Sequence, residues 1–286
     1  TATRAAAVGG ITTIVDMPLN SDPVTTTKAA LQSKLTAAEG VIMVDCGFYS
    51  GLVPAECARP LLDDGVLGIK AFLVHSGIDD FPNVTEEDLC RAMPPIARSG
   101  KPLLVHCELA TNLPEAGPPE SHRAYLASRP RSWEHEAVSL MIRLAAEYSC
   151  KLHIVHVSSS DVIPLISAAR SRGIAVTAET CPHYLAFAAE EIPDGDTRYK
   201  CAPPIREREN RERLWDALRL GILDGIVSDH SPSPPAMKIR GDFPKSWGGI
   251  SSLQFGLPIV WTEALRRGFT CADVARWMCH RPAEWA

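Results

Sequence analysis

The chain has 286 residues, a net charge of −5, 45% hydrophobic residues and 22% charged residues, which is the composition of an ordinary globular domain. The one arginine-rich stretch, residues 205–213, alternates with glutamate and predicts a solvated helix face, so no basic surface for a nucleic acid is indicated. No apolar run approaches the roughly 20 residues of a membrane span, and we expect neither a nucleic acid nor a membrane as a partner.

The first ten residues are rich in alanine and predict a helix that leads directly into a strand. They lack the continuous apolar core of a signal peptide. The nine cysteines contain no Cys-x-x-Cys pair, which favours free thiols in a reducing compartment over a disulfide framework. We therefore expect a cytoplasmic protein in which most cysteines serve as small core residues.

Short apolar segments rich in β-branched residues alternate with amphipathic segments such as 133–148 and 162–172. The predicted strands are residues 11–17, 44–49, 68–73, 103–107, 152–157, 175–179 and 225–228. This alternation indicates parallel strands buried on both faces. We predict an α/β fold, a (β/α)8 TIM-like barrel in which one strand, the first, is not among these segments. An open doubly wound sheet is the alternative, but Gly9 and Gly10 precede a strand and do not form its usual phosphate loop.

The predicted strands end in chemically active side chains. These residues are Asp16, Lys70, His106, His156, Glu179 and Asp229. In parallel α/β barrels the active site lies at the carboxyl ends of the strands. The sequence therefore predicts that these side chains face a common site.

Two histidines and an aspartate in this set predict a metal centre. A lone histidine on an apolar strand is more often a satisfied core residue, but His106, His156 and Asp229 close three strands together. Period-2 alternation predicts that His153 and His156 point opposite ways, with His156 as the ligand and His153 as a structural residue. Asp229 could bind a metal or act as a general base.

Lys70 lies in an otherwise apolar strand. Burial lowers the pKa of an ammonium group and makes the neutral amine accessible, and a neutral amine can add carbon dioxide to form a carbamate that bridges two metals. A salt-bridged or snorkelling lysine is the alternative. Imidazole and oxygen ligands favour Zn²⁺, with Mn²⁺, Co²⁺ and Fe²⁺ as alternatives.

Six motifs follow one another along the chain: residues 9–13 (GGITT), Lys70, residues 105–108 (VHCE), 156–159 (HVSS), 181–184 (CPHY) and 228–232 (SDHSP). In this order they resemble the cyclic amidohydrolase branch of the amidohydrolase superfamily. Within the branch, residues 16–21, 200–206, 228–232 and 247–250 are similar to the allantoinase family. Dihydroorotases usually carry Asp-His-Ala-Pro at the last strand, and hydantoinases a tyrosine where this chain has His75.

The resemblance implies a role for each candidate residue. Lys70 would be the carboxylated lysine that bridges both metals, and His106 and His156 would bind the second metal. Asp229 would bind the first metal and carry a proton from the bridging hydroxide to the leaving nitrogen. The backbone of Cys201 and Gly248 would bind the substrate, and the side chains of Asn20 and His75 would also contact it. His183 would have a structural role. His230 and Asp16 would support the metal ligands without binding the metals themselves.

The family also places a His-x-His pair on the first barrel strand, and this sequence contains none. We expect that residues 1–286 form a single catalytic metal-dependent hydrolase barrel, incomplete at both ends, without the flanking β-sandwich and without the full binuclear site. The implied function is hydrolysis of the small cyclic ureide allantoin to allantoate in purine breakdown, by a homotetramer.

Three other functions stay open. The first is a dihydropyrimidinase, hydantoinase or dihydroorotase. The second is a non-catalytic dihydropyrimidinase-related scaffold, although such proteins tend to lose the metal ligands that this chain keeps. The third is a one-metal deaminase on the same barrel, which would not need Lys70.

Overall fold

A computed structural model describes residues 2–54 and 59–286. Its eight strand segments are β1 (Thr13–Asp16), β2 (Asp45–Phe48), β3 (Ser50–Gly51), β4 (Ile69–Phe72), β5 (Leu103–His106), β6 (Leu152–Ile154), β7 (Val176–Thr180) and β8 (Gly225–Ile226). All pairings are parallel, in the orders β1-β2 and β3-β4-β5-β6-β7-β8. Each predicted strand is present at its predicted place.

Segments β2 and β3 are two halves of one strand that is interrupted at Tyr49. The Tyr49 amide donates to the Asp16 carbonyl (2.9 Å) and the Leu67 amide to the Phe48 carbonyl (3.0 Å), so the same strand pairs on both sides. The sheet therefore has seven strand positions, in chain order. The parallel sheet forms part of a barrel, which confirms the predicted class, and the described residues place no strand between β1 and β8.

Helices follow the strands in alternation. They are α1 (Ala2–Val8), α2 (Lys28–Ala38), α3 (Arg59–Leu62), α4 (Glu86–Ser99), α5 (His122–Ser128), α6 (Arg131–Tyr148), α7 (Ile163–Ser171), α8 (Pro182–Ala186), α9 (Arg208–Arg219), α10 (Gly256–Arg266), α11 (Cys271–Ala275) and α12 (Arg281–Trp285). Short 3₁₀ turns span Ser160–Val162, Ala189–Glu191, Thr197–Tyr199 and Pro235–Met237, and a π-helical turn spans Arg276–His280. No helix in the described part of the chain is long and apolar enough to cross a membrane.

Local sequence signals set the ends of α4. The Thr85 side chain accepts from the Asp88 amide, and the Asp88 carboxylate accepts from the Thr85 amide, which forms a capping box. The helix ends at Gly100, whose φ of +72° is a left-handed conformation that glycine adopts without strain. The helix is thus followed by three residues, 100–102, before β5 begins.

The hydrophobic core has two parts. The larger part fills the layer between the sheet and its helices, with fully buried side chains such as Ile69, Leu103 and Trp215. The smaller part consists of Tyr49, Leu104 and Val155, against which Val15, Met17 and Leu67 pack. Leu104 is in register with Lys70 and His153, so this second cluster lies on the concave face of the sheet, beneath the polar residues described below.

The cysteines are less buried than expected. The eight that the structure describes form no disulfide, and only Cys107, Cys150, Cys181 and Cys201 are buried. Cys271 and Cys279 are exposed on the helical layer. The prediction of free thiols agrees with the described residues. Half of the described cysteines are buried and Cys90 packs against the core, so fewer of them fill the core than predicted, and Cys57 lies outside the described residues.

Candidate metal centre

Lys70 occupies the middle of β4 with its side chain on the concave face of the sheet. It is 3% exposed, and its Nζ has no hydrogen-bond partner among the described residues. The Nζ atom lies 4.4 Å from the centroid of the Phe72 ring. Burial lowers the pKa of the Lys70 amine to about 8, because desolvation outweighs the opposing influence of Cys107, Asp229 and Glu179. An unpartnered, buried amine of this kind is available for modification or for a bound anion.

His106 and His156 are brought together beside Lys70. The His106 ring stacks on Phe72 with centroids 4.8 Å apart and meets the His156 ring edge-on at 4.6 Å. Both histidines are buried, and burial lowers the pKa of each. Neutral imidazoles are the form that binds a metal, so the two rings offer nitrogen ligands at ordinary pH.

The predicted opposite orientation of His153 and His156 is wrong. Strand β6 ends at Ile154, and His156 has a φ of +40°, a left-handed conformation that is rare for residues other than glycine. This left-handed backbone turns the His156 ring toward His106. His153 lies on the same concave face, because it is in register with Lys70 across the sheet. Such a strained backbone is often found at functional sites.

His153 lies one level deeper and is held by its neighbours. Its Nδ1 lies 2.7 Å from the Thr177 hydroxyl, and its Nε2 lies 3.0 Å from a Glu179 carboxylate oxygen, without the angle of a hydrogen bond. The His153 ring stacks on Trp285 of α12 at 4.8 Å. These contacts favour the predicted structural role.

Glu108 and Arg129 support His106 and were missed by the sequence interpretation. A Glu108 oxygen lies 2.7 Å from His106 Nε2, and Arg129 donates to both oxygens of the fully buried Glu108 carboxylate. Burial raises the pKa of Glu108, but the Arg129 charge and the His106 hydrogen bond outweigh it and lower the pKa to about 2. A carboxylate on one ring nitrogen orients the other toward a metal. The His-x-Glu spacing at the strand end was the available signal.

Asp229 follows β8 and also has a left-handed backbone, with φ of +41°. Its side chain is half-buried. Desolvation raises the pKa of Asp229 to about 7. The charge of Lys70 opposes this rise, and the charge of Glu179 adds to it. Lys70 and Asp229 therefore share one electrostatic environment, as the predicted site requires.

A buried ion pair holds the loop that carries His156. The Glu134 carboxylate accepts from the amides of Ser158 (3.1 Å) and Ser159 (2.9 Å) and pairs with the Arg206 guanidinium at 2.6 Å. Arg206 also donates to the Arg129 carbonyl at 3.2 Å. The supports of His106 and His156 are thus parts of one network. The prediction of a solvated helix face across residues 205–213 is therefore wrong at Arg206, which precedes α9 and is buried. It is also wrong at Ile205, Asn210 and Arg211, which are buried as well.

Replacing Arg206 with alanine is expected to lower the free energy of unfolding by roughly 3–5 kcal/mol, because it leaves the buried Glu134 charge unpaired. The matched control is Arg208→Ala, which removes an exposed pair with Glu191 and should cost about 1 kcal/mol or less. Urea unfolding of both variants measures the difference. Equal losses in the two variants would contradict the assigned role of the buried pair.

The segments around Cys201 and Gly248 meet next to Asp229. The Gly249 amide donates to the Lys200 carbonyl at 2.8 Å, and the Ser231 amide donates to the Ile250 carbonyl at 3.1 Å. Lys238 Nζ donates to the carbonyls of Lys200, Trp247 and Gly249 at 3.2, 2.9 and 2.6 Å. The Cys201 carbonyl already accepts from the Tyr125 hydroxyl at 2.7 Å. The sequence interpretation missed Lys238, which joins these loops.

The other two candidate substrate residues lie on exposed loops at the same end of the sheet. Asn20 follows β1, and no described hydrogen bond ties it to the ligands. His75 follows β4, where its Nε2 lies 3.3 Å from Asp79 and its Nδ1 accepts from the Gly77 amide at 3.1 Å. Within the described parts of the chain, neither side chain is hydrogen-bonded to Lys70, His106 or His156.

The residues expected to play supporting roles differ from one another. His230 Nδ1 accepts from the Ser252 amide at 3.0 Å, which ties the loop after β8 to the chain near α10. Asp16 is half-exposed and pairs with Lys34 at 2.7 Å, outside the ligand cluster. His183 is buried beside Asp229, yet neither of its ring nitrogens has a hydrogen-bond partner in the described residues. A purely structural histidine is expected to have one.

The donor set fits a divalent metal. A buried amine without a partner, two neutral imidazoles in contact and a carboxylate converge at the strand ends. The His156 Nδ1 atom also lacks a partner among the described residues. Leaving several buried polar atoms unsatisfied is costly unless a ligand completes them. Nitrogen and oxygen donors of this kind suit Zn²⁺ and related ions.

The chain is similar to known proteins over almost its whole length. It is 50% identical to an allantoinase of Streptomyces avermitilis, covering 99% of this chain and 64% of that relative, and 46% identical to an allantoinase of Arabidopsis thaliana, covering 99% and 60%. Among solved structures, an L-hydantoinase (dihydropyrimidinase) from Arthrobacter aurescens has a TM-score of 0.89 at 32% identity, covering 99% of this chain and 65% of that one. No protein-family model matches the chain.

These likenesses show that the chain belongs to the cyclic amidohydrolase branch of the amidohydrolase superfamily. Within that branch its curated relatives are allantoinases, at 40–50% identity over nearly the whole chain. The chain spans less than two thirds of the length of these relatives. The resemblance inferred from the sequence is therefore confirmed at the level of the family.

Proposed function

We propose that this chain carries the metal-binding and proton-transfer residues of an allantoinase, an enzyme that hydrolyses the hydantoin ring of allantoin to allantoate. The observation that carries the proposal is the convergence of Lys70, His106, His156 and Asp229 in a chain that is 50% identical to an allantoinase.

In the proposed site, Lys70 reacts as its neutral amine with carbon dioxide. A bond forms between Nζ and carbon, a proton leaves to solvent, and the resulting carbamate has the two oxygens of a carboxylate. The lowered pKa of Lys70 and its lack of a hydrogen-bond partner in the described residues support this modification. His106 and His156 supply the neighbouring nitrogen ligands.

Two divalent ions, Zn²⁺ by preference, would supply Lewis acidity and a water-derived nucleophile at neutral pH. Asp229 would take the proton of the attacking water and return it to the ring nitrogen that leaves. A carboxylate with a pKa near neutrality suits both halves of this transfer. The Glu108–Arg129 pair would hold the His106 ring in place throughout.

The backbone at Cys201 and Gly248 would bind the ring of the substrate. Their loops are joined by Lys238 and lie against the segment after Asp229. Peptide N–H and C=O groups in a fixed loop match the alternating carbonyl and N–H groups of a ureide. Asn20 and His75 would reach the substrate from the exposed loops.

A second substrate class is favoured by one observation. The similar solved structures are hydantoinases and dihydropyrimidinases, with TM-scores of 0.89 and 0.87 for two of them. With these substrates the same ligands would act on a cyclic amide other than allantoin, such as hydantoin itself or a six-membered dihydropyrimidine ring. A non-catalytic dihydropyrimidinase-related scaffold would not need the metals at all.

Comparing substrates tests the proposal. The complete gene product, supplied with Zn²⁺ or Mn²⁺, is expected to hydrolyse allantoin with a kcat/KM at least about tenfold above its values for hydantoin, dihydrouracil and dihydroorotate. A preference for any of the other three would replace allantoin as the substrate. Absence of bound metal together with absence of turnover would favour the scaffold.

A further inference from the structure

A second group of side chains that could hold a metal ion includes Asp229. Cys181 follows β7, and His183 lies two residues further on in α8. The Cys181 sulfur, a ring nitrogen of His183 and a carboxylate oxygen of Asp229 all lie within 4.8 Å of one another. None of the residues assigned above to the ligand set, other than Asp229, belongs to this group.

Two of the three side chains are buried, and one of these has unsatisfied ring nitrogens. Cys181 is fully buried and His183 is 2% exposed. Both ring nitrogens of His183 lack a hydrogen-bond partner among the described residues, although one of them could donate and the other accept. Two unsatisfied buried atoms on one ring cost free energy that a bound ligand would recover.

We propose that Cys181, His183 and Asp229 form a binding site for a soft divalent cation, of the kind represented by Cd²⁺ or by Zn²⁺ in excess. Thiolate and imidazole donors select such ions over Mg²⁺ or Ca²⁺. Ligand distances of about 2.0–2.3 Å around a tetrahedral zinc ion place the donor atoms roughly 3.5 Å apart. The three side chains therefore need to approach by about 1 Å, and the thiol proton leaves to solvent as the metal–sulfur bond forms.

Occupation of this site would inhibit the enzyme. The site shares Asp229 with the centre proposed above, and a carboxylate bound to this cation is no longer free to transfer a proton. This consequence rests on the proposed function, whereas binding of the cation does not. The site would make the protein sensitive to soft metals at concentrations that leave the Lys70 centre loaded.

Cadmium titration tests the proposal with a readout that does not depend on turnover. The complete gene product loaded with Mn²⁺ is titrated with Cd²⁺ while the thiolate-to-cadmium charge-transfer absorption and the rate of allantoin hydrolysis are followed. The matched variants are Cys181→Ser and Cys150→Ser, since Cys150 is equally buried but lies after α6, in the helical layer. His183→Gln provides a second variant if Cys181→Ser fails to fold.

We expect one equivalent of Cd²⁺ to produce the absorption and the inhibition in the parent protein and in Cys150→Ser. In Cys181→Ser the absorption is expected to disappear. Inhibition of this variant is expected to require at least about tenfold more Cd²⁺. Absorption that persists in Cys181→Ser, or that is absent from the parent protein, would overturn the site. Absorption without any allantoin turnover would support the site while contradicting the proposed function.

Discussion

Replacing Lys70 with alanine is expected to abolish allantoin hydrolysis and to reduce the bound metal to one ion or none. The reason is that no other described side chain can supply the bridging oxygens of a carbamate at this point of β4. We expect kcat to fall by roughly 10³-fold, the size of effect seen when a group that stabilises the transition state is removed. Metal analysis and turnover of the same sample measure both effects.

The cavity left by Lys70→Ala provides an internal control. Short carboxylic acids such as acetate or propionate are expected to restore part of the activity, because they can place a carboxylate where the carbamate stood. Lys70→Arg keeps the positive charge but cannot form the carbamate, and it should stay inactive with or without the acid. Lys151→Ala, an exposed lysine just before β6, should behave as the parent protein. Normal turnover in Lys70→Ala would contradict the carbamate bridge.

Replacing Asp229 with asparagine is expected to lower kcat by about 10²–10⁴-fold with a small change in KM. Asparagine keeps the shape of the side chain but cannot accept and return a proton, and general acid–base catalysis contributes an effect of this size. Steady-state kinetics with saturating metal separate kcat from KM. A large rise in KM with an unchanged kcat would show that Asp229 binds substrate and does not transfer the proton.

The same variant is expected to stabilise the metal-free protein at neutral and alkaline pH. In the folded state the pKa of Asp229 is raised to about 7 from its ordinary value of 3.8. Its ionisation therefore opposes folding, and the stability of the parent protein falls as the pH rises from about 4 through 7. In the presence of a chelator, the free energy of unfolding of Asp229→Asn should exceed that of the parent protein by roughly 2–4 kcal/mol at about pH 8. This difference should shrink toward about pH 5. A less stable variant at about pH 8 would contradict the raised pKa.

The order of the strands and the position of the candidate site residues at the strand ends could be predicted from the sequence. Strands buried on both faces carry continuous apolar runs, so each of the seven strand positions was recognisable. Lys70, His106 and Asp229 stand out because a polar group in or just after such a run must be compensated. These signals are local, and a single sequence contains them.

The features that could not be predicted depend on contacts between distant segments. The inward turn of His156 follows from a left-handed backbone after β6, and strict alternation misplaced it for that reason. The burial of Arg206 follows from its pair with Glu134, 72 residues away in the chain. The partnership of Glu108 with Arg129 likewise joins β5 to the end of α5, and no spacing rule connects them.

We infer that a metal centre at Lys70, His106, His156 and Asp229 hydrolyses allantoin. The most direct measurement is allantoate formation by the complete gene product before metal removal, after dialysis against a chelator, and after Zn²⁺ or Mn²⁺ is returned. We predict loss of activity with the metal and its recovery when about two ions per chain are bound again. Allantoate formation that continues at full rate in the metal-free protein would contradict the claim.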